Sequence, residues 1–259
     1  MSALFRARAC DGAAWVTGAS SGIGRGVALE LARRGFTVHA TARRAEALAD
    51  LEREAATLPG KIVAAPGDVT DREGIAALFA RIEAQGPVAL AVLNAGGAWR
   101  DDPQDFGGAA FQRTFTVNVQ GVANCVKPAL NAMKARGRGQ IAIVGSLIGY
   151  GGVPGAYAYG PSKAAVVSLA VGLKFHAQPL GVRVQVVNPG YVRTELTAGN
   201  RYPMPFLMEC DAACRRLCDG LAGGGFEIRF PTRLAWLTRV VQSLPYPLFF
   251  AVFRATGVR

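Results

Sequence analysis

The sequence predicts an α/β domain, doubly wound, with a parallel sheet of about seven strands and helices packed on both faces. Two patterns predict it. Short runs rich in Val, Ile and Thr alternate with longer Ala/Leu-rich runs of helical character, the order expected of successive β-α-β units. Several of the short runs, Val88–Leu93 and Val182–Val187 among them, are almost continuously apolar, as strands buried on both faces are. No repeat, charged block or Gly/Ser linker divides the 259 residues, so residues 1–259 read as a single domain.

The first strand is expected at Ala14–Thr17. It runs into Thr17-Gly18-Ala19-Ser20-Ser21-Gly22-Ile23-Gly24-Arg25 and a helical run to about Arg34. Strands follow at Thr37–Thr41, Ile62–Ala65, Val88–Leu93, Gln140–Val144, Val182–Val187 and Phe226–Phe230. Between the fifth and sixth lies the apolar helix Ala164–Ala177. Proline is comfortable in a helix's first turn, so Pro161 sets the start just ahead of itself and leaves Tyr159 at the helix mouth.

Two regions break the alternation. Residues 191–225 are rich in Gly, Pro, Met and aromatics and are expected to cover a site. Tyr191, Tyr202, Met204, Pro205, Phe206, Leu207 and Met208, with Arg193 and Arg201 as the cations, suit an apolar ketone, aldehyde or secondary alcohol; the same residues also suit ordinary core. Residues 231–259 read as a helical extension. Its stretch Leu234–Phe253 is interrupted by Arg239, Gln242, Pro245 and Pro247 and is no membrane span, which needs about 20 uninterrupted apolar residues.

The formal charge is +11, unevenly placed: residues 1–130 carry 14 basic and 13 acidic side chains, residues 131–259 carry 15 and 5. No Asp or Glu occurs between Asp105 and Glu195. Chemistry housed there cannot draw on a carboxylate pair or a carboxylate-held metal from that stretch, which disfavours glycosidase and hard-cation hydrolase readings. The basic excess alone would suit nucleic acid, a membrane or an anionic cofactor, but no basic run or aromatic-interleaved patch supports nucleic acid. Five cysteines without a CxxC pair suggest neither a disulfide framework nor a zinc ribbon, and fit a reducing cytoplasm. Cys210, Cys214 and Cys218 recur every four residues on one helix face, as a packing stripe or, alternatively, as soft-metal or oxidant-sensing thiols. MSALFRARAC lacks an apolar region of signal-peptide length, so export is not expected and no metal is assigned.

The glycines after the first strand let the backbone turn tightly and approach a pyrophosphate, whose charge then meets the free N–H groups of a helix N-terminus. Their spacing, G-x-x-x-G-x-G, departs from the G-x-G-x-x-G pattern. At the end of the second strand an acid usually takes the ribose 2′-hydroxyl of NAD, whereas an arginine accommodates the 2′-phosphate of NADP. Here the strand ends Ala40-Thr41-Ala42-Arg43-Arg44, which favours NADP(H), with Arg25 as a second phosphate partner. The alternative leaves Arg43 and Arg44 as solvated strand-end residues.

Within the acid-free stretch, Tyr159-Gly160-Pro161-Ser162-Lys163 places a phenol and an ammonium four residues apart, on one helical face. Free Tyr has a pKa of about 10, so working near pH 7–8 takes about 3–4 kcal/mol of differential stabilisation, which a cation in a partly dry cleft supplies. Tyr150 and Tyr157 lack a lysine four residues on and read as packing or substrate-contact residues.

With these residues in order, the chain resembles the short-chain dehydrogenase/reductase family, in its NADP-preferring subgroup, over roughly Ala13–Thr194. The resemblance implies a Rossmann-type fold and a set of roles. Gly18, Ser20, Ser21, Gly22, Ile23 and Gly24 match the cofactor turn. Asp68 in Gly67-Asp68-Val69 matches the acid that contacts adenine, and Asn94-Ala95-Gly96 matches the motif after the fourth strand. Asn118 matches the asparagine of a water relay and Ser146 the catalytic serine. Asn188-Pro189-Gly190, with Val192 and Thr194, matches the segment that holds the nicotinamide carboxamide.

The implied mechanism has Ser146 polarise a carbonyl that receives hydride while Tyr159 gives it a proton. Lys163 lowers the Tyr159 pKa and binds the nicotinamide ribose, and Asn118 holds the water that returns a proton. A dehydratase or epimerase on the same scaffold stays open, as does a non-enzymatic NADP(H)-dependent redox sensor. Beyond Thr194 the resemblance weakens. The expected partners are a small-molecule carbonyl or alcohol and a second copy of the chain, in a homodimer or homotetramer. The tail, with five arginines and one Glu from Phe226 on, leaves peripheral attachment to anionic lipid as the competing use.

Overall fold

The structure is a computed structural model that describes residues 5–99, 104, 106–200 and 203–255. Seven parallel strands form one sheet in the order β3-β2-β1-β4-β5-β6-β7: β1 (Ala13–Thr17), β2 (Thr37–Thr41), β3 (Lys61–Ala64), β4 (Val88–Leu93), β5 (Gly139–Val144), β6 (Val182–Pro189) and β7 (Glu227–Phe230). Each lies within a residue or two of its expected position. The registers are regular, with Val16 beside Ala40 on one flank and beside Val92 on the other. β6 runs two residues further than its apolar run, because Asn188 and Pro189 pair with Arg229 and Phe230.

Helices α1 (Gly22–Arg33), α2 (Ala45–Glu54), α3 (Arg72–Glu83), α4 (Ala109–Phe115), α5 (Gly121–Ala135), α6 (Tyr159–Ala177), α7 (Glu195–Ala198), α8 (Cys210–Ala222), α9 (Thr232–Gln242) and α10 (Tyr246–Ala255) complete the chain. Successive strand residues point to opposite faces. In β1, Ala14 and Val16 therefore enter a core with Leu31, Leu48, Leu51 and Leu217, while Trp15 enters another with Ile75, Phe79, Met133, Ile141 and Val166. A Leu buried to this extent contributes about 1.5–3 kcal/mol. Trp15 is wholly buried, and its indole N–H donates to Thr41 Oγ1 at 2.9 Å.

α8 limits the expected covering segment. Its Ala213, Cys214, Leu217, Cys218 and Leu221 are buried against the α1 side of the sheet, so this face of residues 210–222 is core rather than cover. The cysteine stripe is the packing face of this helix. Cys214 Sγ donates to Ile23 O at 3.5 Å and stands where a side chain on Gly26 would have to go. Among the described residues no group of three His, Cys, Asp or Glu is placed to hold a metal ion.

The sheet order reverses between β1 and β4: the chain builds outward through β2 and β3, then crosses back to β4. In open parallel sheets, ligands bind beyond the strand C-termini at such a reversal.

Candidate active site

The segments after β1, β3, β4, β5 and β6 sit at strand C-termini, Asn118 and the Tyr159–Lys163 motif come from helical segments, and the loops are braced against one another across the reversal. Thr17 Oγ1, at the end of β1, accepts the backbone N–H groups of Asn94 (3.0 Å) and Ala95 (3.1 Å). Asn94 Nδ2 donates to Thr17 O at 3.2 Å and to Gly18 O at 3.4 Å. The turn itself requires glycine: Gly18 and Gly22 have φ of 69° and 52°, and a Cβ on Gly24 would overlap the Gly18 carbonyl and the Asn94 amide. Ser21 precedes α1 without a side-chain cap, so the first N–H groups of the helix are open to an anion.

Of the three arginines, Arg44 lies against this turn, its guanidinium donating to Ser20 Oγ at 3.3 Å and Ser20 O at 3.4 Å. Arg25 ion-pairs with Glu54, and Arg43 is exposed. Asp68 Oδ1 accepts from Thr70 N (2.9 Å) and Thr70 Oγ1 (2.8 Å), which fixes the loop after β3; Val69 is buried and its carbonyl accepts from Asn124 Nδ2 at 2.9 Å. From the far side, Thr194 reaches the turn, its Cγ2 lying 3.3 Å from where a Cβ on Gly22 would be.

Asn118 owes its place to a π turn, Thr116–Gln120, inserted between α4 and α5. Such turns slip the helical hydrogen-bond ladder by one residue and concentrate at functional sites. The buried amide forms a closed pair with Gly97: the Gly97 N–H donates to Asn118 Oδ1 at 2.8 Å, and Asn118 Nδ2 donates to Gly97 O at 2.9 Å. The same Nδ2 donates to Ser162 Oγ at 3.0 Å.

Lys163 is buried on the inner face of α6, where Nζ donates to Val144 O at 3.0 Å and sits 5.8 Å from the centre of the Tyr159 ring. Burial without a carboxylate partner pulls its pKa down to about 8. Gly96 marks where the groups converge: a Cβ there would lie 3.1 Å from Asn118 Oδ1 and 3.3 Å from Lys163 Nζ. Tyr159 is the first residue of α6, as Pro161 requires. Ser146 caps the turn Leu147–Tyr150, with Oγ donating to Pro189 O and accepting from Ile148 N, both at 3.3 Å. Gly190 N donates to Phe230 O at 2.7 Å, and buried Val192 bridges to Met208. The structure thus brings Asn118 and Lys163 together beside Gly96, with Tyr159 at the mouth of the same helix and Ser146 against Pro189.

Tyr150 takes the packing role of the two alternatives, half-buried against Leu147, Leu234 and Ala235, and adds a polar tie at its hydroxyl. Its hydroxyl donates to Glu227, its ring lies 4.9 Å under the Arg239 guanidinium, and burial together with Glu227 pushes its pKa up to about 12. Glu227 also accepts from Asn188 Nδ2 (2.7 Å), Arg229 (3.0 Å) and Arg239 (2.6 Å), tying α9 to the end of β6. Ser162, Thr17, Asn124 and Glu227 carry no signal of their own in the sequence, although Thr17 opens the glycine turn and Ser162 lies inside the Tyr-Lys motif. On the covering side Arg193 pairs with Glu209 (2.9 Å), and the half-exposed Phe206 adopts a φ of 57°. Tyr202 and Arg201 lie outside the described residues. An aromatic rim of Phe106, Phe111 and Tyr157 flanks the α4 side, with ring centres 5.8 and 6.1 Å apart.

Fold and site together define a dinucleotide-binding oxidoreductase of the α/β class. The chain belongs to the short chain dehydrogenase family, whose profile matches residues 12–204. It is 38% identical over 242 residues to an uncharacterized oxidoreductase of Myxococcus xanthus, covering 93% of this chain and 96% of that one. It is 37% identical over 186 residues to the cis-4-hydroxycyclohexanecarboxylate dehydrogenase of Sinomonas cyclohexanicum, covering 71% and 74%. A short-chain dehydrogenase from Sphingobium yanoikuyae, solved in complex with NADPH, superposes with a TM-score of 0.78 at 27% identity, over 89% of this chain and 93% of that one.

Proposed function

We propose that the protein is an NADP(H)-dependent oxidoreductase that interconverts a carbonyl and a secondary alcohol on an apolar substrate, with Tyr159 as the acid/base. The observation that carries this reading is the meeting of Asn118 and the buried Lys163 beside Gly96, below the Tyr159 ring and at the sheet reversal. The cradle fits a dinucleotide: the turn leaves no room for a side chain at Gly18 or Gly24 and presents a helix N-terminus. Ser20, Ser21, Gly22, Ile23 and Arg44 would hold the phosphates, with Asp68 and Val69 at the adenine and Pro189, Gly190, Val192 and Thr194 at the nicotinamide. When bound, NADPH supplies hydride to the substrate carbon.

The chain's own groups then handle the oxygen and the proton. Ser146 donates a hydrogen bond to the carbonyl oxygen, exchanging its 3.3 Å contact with Pro189 for the substrate. Tyr159 gives that oxygen a proton, and Lys163 stabilises the resulting phenolate. Asn118, anchored on Gly97 and Ser162, orients a water that returns the proton. The covering segment and the aromatic rim support an apolar substrate. The outward face of α6 supports a homo-oligomer, since Val171 and Phe175 are exposed there; light scattering of the pure protein tests it. The deciding experiment is Tyr159→Phe with a panel of apolar ketones, aldehydes and secondary alcohols. Loss of NADPH-dependent turnover with NADPH binding retained supports the assignment, and an active variant refutes it.

A further inference from the structure

We propose that α9 and α10 form a docking surface for anionic lipid, on which the protein lies with both helices in the headgroup plane. The surface is independent of the chemistry at Tyr159, and its test needs no turnover.

α9 is two-faced. Leu234 and Ala235 are buried against Leu147, beside Tyr150 and Tyr191, while Arg233, Trp236, Leu237 and Val240 recur at i, i+3, i+4 and i+7 on the opposite side, all exposed. α10 repeats the division. Phe249 is buried, its ring centre 4.8 Å from that of Phe253 in a tilted pair, whereas Tyr246, Phe250 and Arg254 line the outer side at i, i+4 and i+8. Trp236, Leu237, Val240, Tyr246 and Phe250 are each 53–76% exposed, so two consecutive helices each present a stripe of large apolar groups, an exposure of the kind that marks an interaction surface.

Charge selects the occupant. After Glu227 no Asp or Glu follows, yet five arginines do. Glu227 is shared by Arg229 and Arg239, and Arg229 also lies 4.9 Å over the Trp236 ring. Arg233 and Arg254 remain at the ends of the two apolar stripes with no carboxylate in their own segment to meet. An isologous contact between two copies would bring together two patches that both carry a net positive charge, which disfavours it. A negatively charged lipid surface complements it, and aromatic and arginine side chains suit the headgroup layer. Among the described residues no helix is long and apolar enough to cross a membrane. At ten residues, α10 measures about 15 Å, half a hydrocarbon core, so it lies in the surface. Because α9 packs on the turn that follows Ser146, docking holds the candidate cleft close to the lipid, where an apolar substrate concentrates.

The test is cosedimentation of the full chain with phosphatidylcholine vesicles, with and without phosphatidylglycerol. Binding is expected only with the anionic lipid, weakening as salt is raised, and lost in Leu237→Glu/Phe250→Glu. Each arginine near such a surface is worth about fivefold in partitioning, so Arg233→Gln/Arg254→Gln lowers it about thirtyfold; these two exposed side chains leave the core untouched should the glutamate variant fail to fold. Absence of binding overturns the proposal, as does equal binding to neutral vesicles. So does a self-association that Leu237→Glu/Phe250→Glu dissolves while vesicle binding is unaffected.

Discussion

Asn118 and Ser162, 44 residues apart in sequence, are hydrogen-bonded side chain to side chain at 3.0 Å, and Ser162 Oγ donates in turn to the Tyr159 carbonyl at 2.8 Å. The residue inside the Tyr-Lys motif therefore links the π turn to the first turn of α6. Ser162→Ala removes that link but leaves the two Asn118–Gly97 bonds. The expected result is a fall in kcat of about tenfold with the Kd for NADPH unchanged, at a stability cost of about 1 kcal/mol. Steady-state kinetics and denaturant titration check it, and Ser162→Thr is expected to restore much of the rate.

Lys163 is kept in the fold at a cost. With its pKa pulled from 10.5 to about 8 by burial, the unfolded chain binds more protons than the folded one between these values. Stability therefore rises with pH through that window, and the penalty is fully present below about pH 8. Lys163→Met abolishes turnover yet raises unfolding stability at pH 7 by about 1–3 kcal/mol, after allowing for the Val144 carbonyl left without its donor. The gain disappears when the measurement is repeated near pH 10.5.

Arg44, and not Arg25, is expected to set the cofactor preference. Arg44 already rests against Ser20, whereas Arg25 would have to leave Glu54 to meet a phosphate. A charge-assisted contact of about 1.5–3 kcal/mol predicts that Arg44→Ala weakens NADPH binding by roughly ten- to a hundredfold with little change for NADH. Arg25→Ala is expected to have a smaller effect in the same fluorescence titration.

Glu227 gives the fold an acid-sensitive joint. Burial pushes its pKa up, but the hydrogen bonds from Tyr150 and Asn188 and the charge of Arg239 outweigh this and hold it below the usual 4.5. Its contribution is present above pH 4.5 and is lost as pH falls through the lower folded value. Glu227→Gln is expected to cost about 2 kcal/mol at pH 7 and to flatten the loss of stability on acidification, as read from urea midpoints.

The sheet was legible because parallel strands buried on both faces leave uninterrupted apolar runs, and the Tyr159 position followed from the backbone limits of Pro161. α8 was only partly legible: the Cys210, Cys214, Cys218 spacing showed its packing stripe, but Ala213 and Leu217 are interleaved with Asp211, Arg215, Arg216 and Asp219, which hid how far the helix belongs to the core. The bonds from Glu227 to Tyr150 and Asn188 span 77 and 39 residues and come into being only when β6 and β7 pair. Nor does any residue type announce the π turn at Asn118, since a slip in a hydrogen-bond ladder is a property of the chain's path rather than of its composition.

That slip gives the scaffold a one-codon switch. The rod from Ala109 to Ala135 holds one residue more than a continuous α-helical ladder requires. Deleting Val117 would heal the ladder and leave a better helix, yet everything on its N-terminal side would rotate by about 100° relative to α5. α4, with Phe111 on the aromatic rim, would then be re-aimed while Asn118 stayed in phase with α5 and the sheet stayed intact. A lineage descended from this chain could thus re-aim the wall that α4 contributes and keep the fold through a single in-frame deletion, and the reverse insertion would restore it.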